Sequence, residues 1–279
     1  MLKLKAIIGI DVGGSTTKIV GFRGENVLGS TFVHAADPIT SLYGAFGKFT
    51  VEHHIALGDI EKVIVTGVGS SFIKEPIYGL PCVHESEFSC VGKGGLYLSH
   101  LSEAIVISMG TGTALIHAKK DGNSITTDYL GGTGVGGGTL IGLSKKLLDI
   151  ETIDHIVEVA KEGNLDNVDL RISDIIKKTS RNVPLPNDMT AANFGKVSDM
   201  ASKGDLALGV INMVFETIGM IGVFAARNSG TKDLVLTGNM TNLPQAKDIF
   251  ANLSNLFDVN FIIPQNAAFA TAYGAALSK

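Results

Sequence analysis

The sequence has no tryptophan, two cysteines and seven prolines in 279 residues, and charged residues make up only 18 % of it. Each shortage excludes something. Cys82 and Cys90 form neither a C-x-x-C pair nor a zinc pattern, and two thiols cannot staple a chain this long. A reducing, cytoplasmic setting is therefore the expectation. The formal net charge is -4, so no basic footprint points to nucleic acid as a partner. Disorder is excluded by the 45 % hydrophobic content. The N-terminus, MLKLKAIIGIDVGG, carries charges inside a short apolar run and reaches glycines at once, unlike a signal peptide. The long apolar stretch at 206–226 is long enough for a membrane span. However, Asn212, Glu216 and Gly219 recur on one of its faces at helical spacing. An ionisable residue is costly in lipid, so a buried helix and no membrane are expected. His53 and His54 are neighbours on opposite sides of a helical pattern, and no third ligand has the spacing of a zinc site.

Glycine, by contrast, is abundant, with 34 residues, and its placement is informative. The segment IGIDVGGSTTKIVGF, 8–22, runs as an apolar strand to Asp11, then two glycines and three hydroxyl residues, then Lys18 and a second strand. It is not a P-loop. Gly9 and Gly14 have the spacing of G-x-x-x-x-G-K-[ST], but Ser15 stands where the lysine belongs. The strand–glycine–strand unit recurs in EAIVISMGTGTALIHA, around Gly110 and Gly112.

Element order organises these units. KAIIGIDVG, TTKIVGFRG and GENVLGSTFVHAA read as a three-strand meander. SLYGAFGKFTVEHHIA has helical spacing through Leu42, Phe46, Phe49 and His53. EKVIVTGVG is a short buried strand, and SEFSCVGKGGLYLSHL a helix with Ser86 as N-cap. From Glu103 the order begins again with EAIVISMGTG, TALIHAKKDG (turning at Asp121 and Gly122) and NSITTDYL. The loop GGTGVGGGT, 131–139, then feeds the helix LIGLSKKLLDI. Residues 153–187 mix helix with a Pro-containing loop, and a long helix spans about 205–228. Late strands KDLVLTGN and VNFIIP flank a helix at about 243–253, and AAFATAYGAALS closes the chain as a small-residue helix. The layout is α/β with two lobes, 1–102 and 103–279, each holding a mixed sheet flanked by helices, with a ligand cleft between them.

Two glycine hairpins facing a cleft can offer backbone N–H groups to a phosphate chain, because glycine admits close approach and positive φ. Gly13 and Gly14 on one side, and Gly110 and Gly112 on the other, are the candidates. Ser15, Thr16, Thr111 and Thr113 add hydroxyl donors, and Lys18 a point charge. Asp11 suits Mg²⁺, which takes one or two carboxylates and keeps several waters. Gly132, Gly134 and Gly137 also match G-x-G-x-x-G, with Asp149, Glu151 and Asp154 near the ribose-acid offset. The preceding strand belongs to a hairpin, not a βαβ unit. The preferred reading is thus a helix start near Thr139 that faces an anion.

At these residues the chain resembles a known superfamily. IGIDVGGSTTKIV and VISMGTGTALIHA are similar to the first and second phosphate motifs of the acetate and sugar kinases, heat-shock ATPases and actin. LVLTGNMTNLP resembles their adenosine motif, with Gly238 and Asn239 where two glycines are usual, and AAFATAYGAAL their closing helix. Within that superfamily, ESEFSCVGKGGLYL, GTGVGGGTLIGL and TAANFGKV resemble type II pantothenate kinase, the eukaryotic-like form. The resemblance implies a two-lobed actin-like (ribonuclease H-like) kinase fold with ATP and Mg²⁺ in the cleft. It implies phosphoryl transfer to pantothenate, the first step of coenzyme A synthesis, and a homodimer built around the long helix; feedback by CoA or its thioesters stays open. It places the catalytic carboxylate at Glu87, one shift from the alternative Glu85. Nucleotide contacts extend to Gly136, Gly138, Gly238 and Asn239, and acceptor contacts to Thr133, Ala192, Asn193, Phe194 and Gly195. The family's arginine before the Gly-rich loop is replaced by Tyr129, beside Asp128, and the four arginines, Arg23, Arg171, Arg181 and Arg227, lie elsewhere in the sequence. A tyrosine brings a hydrogen bond but no charge at neutral pH. Pantetheine or another small hydroxyl compound therefore stays open as acceptor, as does an ATPase or regulator on the same fold. An iron–sulfur activase would need better-placed cysteines than Cys82 and Cys90.

Overall fold

The computed structural model describes residues 4–34, 37–176, 186–187 and 189–278. Strands β1 (Ala6–Val12), β2 (Thr16–Arg23) and β3 (Asn26–His34) form the meander. Positions 35 and 36, the expected end of the third strand, lie outside the described residues. Helix α1 (Pro38–Glu52) follows, started by Pro38 and by Asp37, whose Oδ2 accepts from Thr40 N at 2.6 Å. The helix stops before the two histidines. His54 takes φ +53° and is no longer helical, while the His53 ring packs on Phe49 and fills the space above Gly29 of β3. Strands β4 (Ile60–Thr66) and β5 (Cys82–His84) and helix α2 (Glu87–Ser99) complete this part. The sheet order is β3-β2-β1-β4-β5, antiparallel within the meander and parallel from β1 through β5.

The second sheet repeats that topology. Its elements are β6 (Glu103–Met109), β7 (Thr113–Asp121), β8 (Ser124–Thr133), α3 (Gly137–Leu148), α4 (Ile153–Ala160), β9 (Leu170–Arg171), α5 (Ile172–Ile175), β10 (Thr190–Ala192), α6 (Lys203–Ser229), β11 (Asp233–Thr237), α7 (Pro244–Phe257), β12 (Asn260–Ile262) and α8 (Ala270–Leu277). The order β8-β7-β6-β11-β12 matches the first sheet strand for strand. Most of the Pro-containing loop, 177–185, and with it Arg181, lies outside the described residues.

Strand periodicity decides which residues meet which layer. Ile8, Ile10 and Val12 of β1 face α1 and pack with Leu42, Phe46 and Phe49. The alternate residues, including Gly9 and Asp11, face inward. There, α8 lies on the first sheet through Ala272, Tyr273 and Ala276 against Val20 and Phe22. Helix α2 lies on the second sheet through Val91 and Leu96 against Val106, Ile116 and Val235. Between the sheets these two helices cross backbone to backbone. A Cβ on Gly94 would overlap the carbonyl of Ala270, and one on Gly274 the carbonyl of Cys90. The outer face of the second sheet carries α3, α6 and α7, with Phe215 and Phe250 in the core.

Helix α6 has the length and hydropathy of a membrane span, but most of its apolar window is buried within the protein. A capping box starts it two residues ahead of the sequence expectation: Ser202 Oγ accepts from Asp205 N, and Asp205 Oδ2 from Ser202 N. Asp205 also accepts from Asn164 N at 2.7 Å, and these backbone bonds hold its carboxyl down at about 2.

Candidate active site

A cavity of about 540 Å³ lies between the lobes, at the ends of the strands. The first hairpin supplies Asp11, Gly13, Gly14, Ser15, Thr16 and Lys18. The second supplies Gly110, Thr111, Gly112 and Thr113, and Thr133, Gly238, Asn239 and Glu87 join them. The sheet register explains part of this. Asp11 of β1 pairs with Lys18 of β2, so both side chains leave the sheet on its inner face. Thr16 Oγ1 accepts from Asn239 Nδ2 at 3.5 Å, joining the two lobes across the cleft.

Asp11, Lys18 and Glu87 form one electrostatic cluster. Burial pushes the Asp11 carboxyl up to about 6; Lys18 opposes the shift and the nearby Glu87 adds to it. Burial likewise holds the Lys18 ammonium below its ordinary value, against the pull of Asp11 and Glu87. The Glu87 carboxyl is raised, again by burial, with Lys18 opposing. Three ionisable groups with shifted proton affinities in one cleft are a recognised mark of a chemical site. Of the two candidate acids, Glu87 lines the cleft, whereas Glu85 Oε1 accepts from the backbone N–H of Ser86. Ser86 does occupy the N-cap position of α2 but forms no side-chain cap bond.

Residues absent from the sequence reading also border the cleft: Val68, Ser108, Ala114 and Thr271. Gly67 supports it from behind, with φ +88° and so little room that a Cβ would come 2.6 Å from Asp11 Oδ1. Its counterpart is Gly238, at φ +93° against the backbone of Met109. The signal was present as a repeated Thr-Gly, Thr66–Gly67 ending β4 and Thr237–Gly238 ending β11.

The Gly-rich loop stands elsewhere. Gly137 N and Gly138 N donate to the carbonyls of Gly110 and Thr111, both at 2.9 Å. A Cβ on Gly136 would come 2.7 Å from Thr111 O, and one on Gly132 would overlap Thr113 O. Thr139 Oγ1 donates to Gly134 O at 3.0 Å. These glycines pack behind the second hairpin and brace it. The first two amides of α3 thus already have carbonyl partners within the protein. The strand before the loop is a member of the β7–β8 hairpin, so no βαβ unit accompanies the G-x-G-x-x-G match.

Tyr129, on β8, stacks face to face on Phe88. Ala192 and Asn193 border a different cavity, of about 570 Å³, between β10, α6 and α7. The turn after β10 is fixed there by two carboxylates, the partly buried Glu216 and the buried Asp169. Glu216 accepts from Thr190 Oγ1 and Asn193 Nδ2, and Asp169 accepts from Phe194 N and Asn212 Nδ2. Phe194 itself takes φ +59° at this turn, and Gly195 N donates to Ala192 O.

Two sheets of matching order, with paired glycine hairpins and a buried carboxylate–lysine cluster between them, define the class: a two-lobed, actin-like α/β protein with a nucleotide cleft. A solved structure of that class, the activator of the 2-hydroxyisocaproyl-CoA dehydratase from Clostridium difficile with bound ADPNP, superposes with a TM-score of 0.65. It shares 18 % identity, over 98 % of this chain and 93 % of that one. The Fumble family model matches residues 97–260. The type II pantothenate kinase of Oceanobacillus iheyensis is 28 % identical over 98 % of this chain and 99 % of its own. That of Staphylococcus aureus strain USA300 is 30 % identical over 96 % and 97 %. The chain belongs to the Fumble family, the family of the type II pantothenate kinases.

Proposed function

We propose that the protein is an ATP-dependent kinase that converts pantothenate to 4'-phosphopantothenate, the first step of coenzyme A synthesis. The observation that carries this reading is the Asp11–Lys18–Glu87 cluster set between two facing glycine hairpins. The hairpins at 13–16 and 110–113 hold the phosphate chain with N–H and hydroxyl donors, and Lys18 balances its charge. Gly238 and Asn239 lie at the adenosine side. Glu87 accepts the proton of the acceptor's primary hydroxyl. The freed oxygen attacks the γ-phosphorus, the bond from that phosphorus to the β,γ-bridging oxygen breaks, and ADP leaves with the electron pair. A carboxyl raised toward neutrality by burial is suited to taking that proton.

Asp11 is the residue that would hold Mg²⁺. Its charged form is disfavoured by burial, so a divalent cation beside it restores the carboxylate, and one acid with waters is a donor set Mg²⁺ accepts. When bound, the metal neutralises charge on the β- and γ-phosphates. Thr133 stands at the acceptor side, and Tyr129, which does not line the cavity, lies behind it on β8. Within one chain Ala192, Asn193, Phe194 and Gly195 belong to the α6–α7 side, so their acceptor role is toward a second copy in a homodimer built on α6. The lobes are 1–102 and 103–279, with α8 as the part of the second that returns to the first sheet. The setting is cytoplasmic, and CoA or its thioesters are candidate feedback ligands.

The test is ADP release by the purified protein with ATP and Mg²⁺, comparing pantothenate, pantetheine and no acceptor. Pantothenate-dependent turnover, abolished in Glu87→Ala while ATP binding persists, is the expected result. Turnover that is equal without acceptor, or undiminished in the variant, overturns the reading.

A further inference from the structure

Tyr129 and Phe88 are the most conspicuous exposed aromatics beside the cleft. Their ring centroids lie 4.3 Å apart with planes 11° from parallel. The rings come from different layers, Phe88 from the first turn of α2 and Tyr129 from β8. Phe88 is 39 % and Tyr129 53 % exposed, so burial of apolar surface alone is a weak reason for the pairing. Among the described residues the Tyr129 hydroxyl has no hydrogen-bond partner. It lies over Gly132, where a Cβ would come 3.1 Å from it.

Both ends of the pair adjoin the cleft. Phe88 follows Glu87 directly, and Tyr129 precedes the bulge at Leu130 and Gly131 that leads to Thr133. The bulge aims the ring, since an extra residue bends its strand and redirects neighbouring side chains. The first turn of α2 needs such an anchor. Ser86 gives it no side-chain cap bond, and a helix end without a cap frays.

We infer that the Phe88–Tyr129 ring pair positions Glu87, with Tyr129 acting through the face of its ring and not through its hydroxyl. The inference rests on Glu87 as the proton acceptor. Phe88 and Tyr129 are positioning residues: they fix the start of α2 against the hairpin that braces the second phosphate loop, and so fix the carboxylate relative to the γ-phosphate. The tyrosine at this position then needs no charge to serve the reaction, because its partner is a ring of the same chain.

The experiment compares kcat and KM of the full chain in Phe88→Leu, Tyr129→Leu, Tyr129→Phe, Phe88→Tyr and Glu87→Gln. The aromatic exchanges keep the stack, and kcat stays close to that of the parent. The leucine variants lose about 10- to 100-fold in kcat, as for a misplaced catalytic group, while KM for ATP is unchanged because the nucleotide loops are intact. A Tyr129→Phe loss as large as that of Tyr129→Leu overturns the inference in favour of a hydroxyl contact with the acceptor. Parental kcat in both leucine variants overturns it outright. Full turnover in Glu87→Gln removes the underlying assignment instead, whatever the ring variants do. If a leucine variant fails to fold, Phe88→Tyr and Tyr129→Phe still decide: loss of kcat in both sinks the ring-face role.

Discussion

Asp11 sits where a carboxylate is expensive. Its proton affinity is raised from 3.8 to about 6, and for an acid this means the native state holds the proton more tightly than the unfolded chain. The stabilisation from protonation is fully present below about pH 4 and lost as pH rises through 6. Above that, the buried charge costs roughly 3 kcal/mol at most, from about two units at ~1.4 kcal/mol each. Asp11→Asn keeps the neutral shape. It should raise the thermal midpoint of the nucleotide-free protein at pH 8, with the gap closing near pH 4, and abolish turnover. A variant that melts lower at pH 8 contradicts the burial argument; one that turns over normally contradicts the metal assignment. Loss of wild-type activity as pH falls through about 6 is the companion expectation. Gly67→Ala should also reduce turnover, because its methyl group would displace the Asp11 carboxylate. At this scale the sequence was informative where a polar residue adjoins a glycine hairpin, as at Asp11 and Lys18, and the family resemblance pointed to Glu87 at the start of α2. It was silent on Gly67, whose role depends on what packs beside it.

The elements differ in how plainly they can be read. The strands of both meanders follow from apolar runs and glycine turns, and α6 from its apolar length. Boundaries set by local chemistry escaped: α6 begins at a Ser–Asp capping box, and α1 ends at Glu52 because His53 turns back onto Gly29. The packing of the Gly-rich loop escaped for a related reason. Its glycines suit close approach, and the backbone of the neighbouring hairpin comes that close to Gly132, Gly136, Gly137 and Gly138. The crossing of α2 and α8 carries the clearest prediction for an element. Gly274→Ala should destabilise the protein by about 3 kcal/mol or more by denaturant unfolding, since an added methyl group meets an immovable carbonyl. A loss below about 1 kcal/mol, within the range of a tolerated surface change, shows that the two helices part easily.

The whole molecule repeats one sheet topology twice, and that repetition was visible as two strand–glycine–strand units. The place of TAANFG at the α6–α7 cavity was not, because sequence order says nothing of which surface a segment faces. If Asn193 acts toward a second copy, mixing inactive Glu87→Gln with an impaired Asn193→Ala variant should recover part of the activity through mixed dimers. No recovery, or a protein that sediments as a monomer, removes that arrangement. The α8 placement has a further consequence, for synthesis. The inner face of β1 is covered by 270–277, far later in the sequence. The N-terminal sheet must therefore wait on the ribosome with that face bare, and cannot settle as a finished unit before most of its partner lobe exists. Such a chain should need chaperone cover during translation in proportion to that delay, and pausing late in the message should harm its yield more than pausing early.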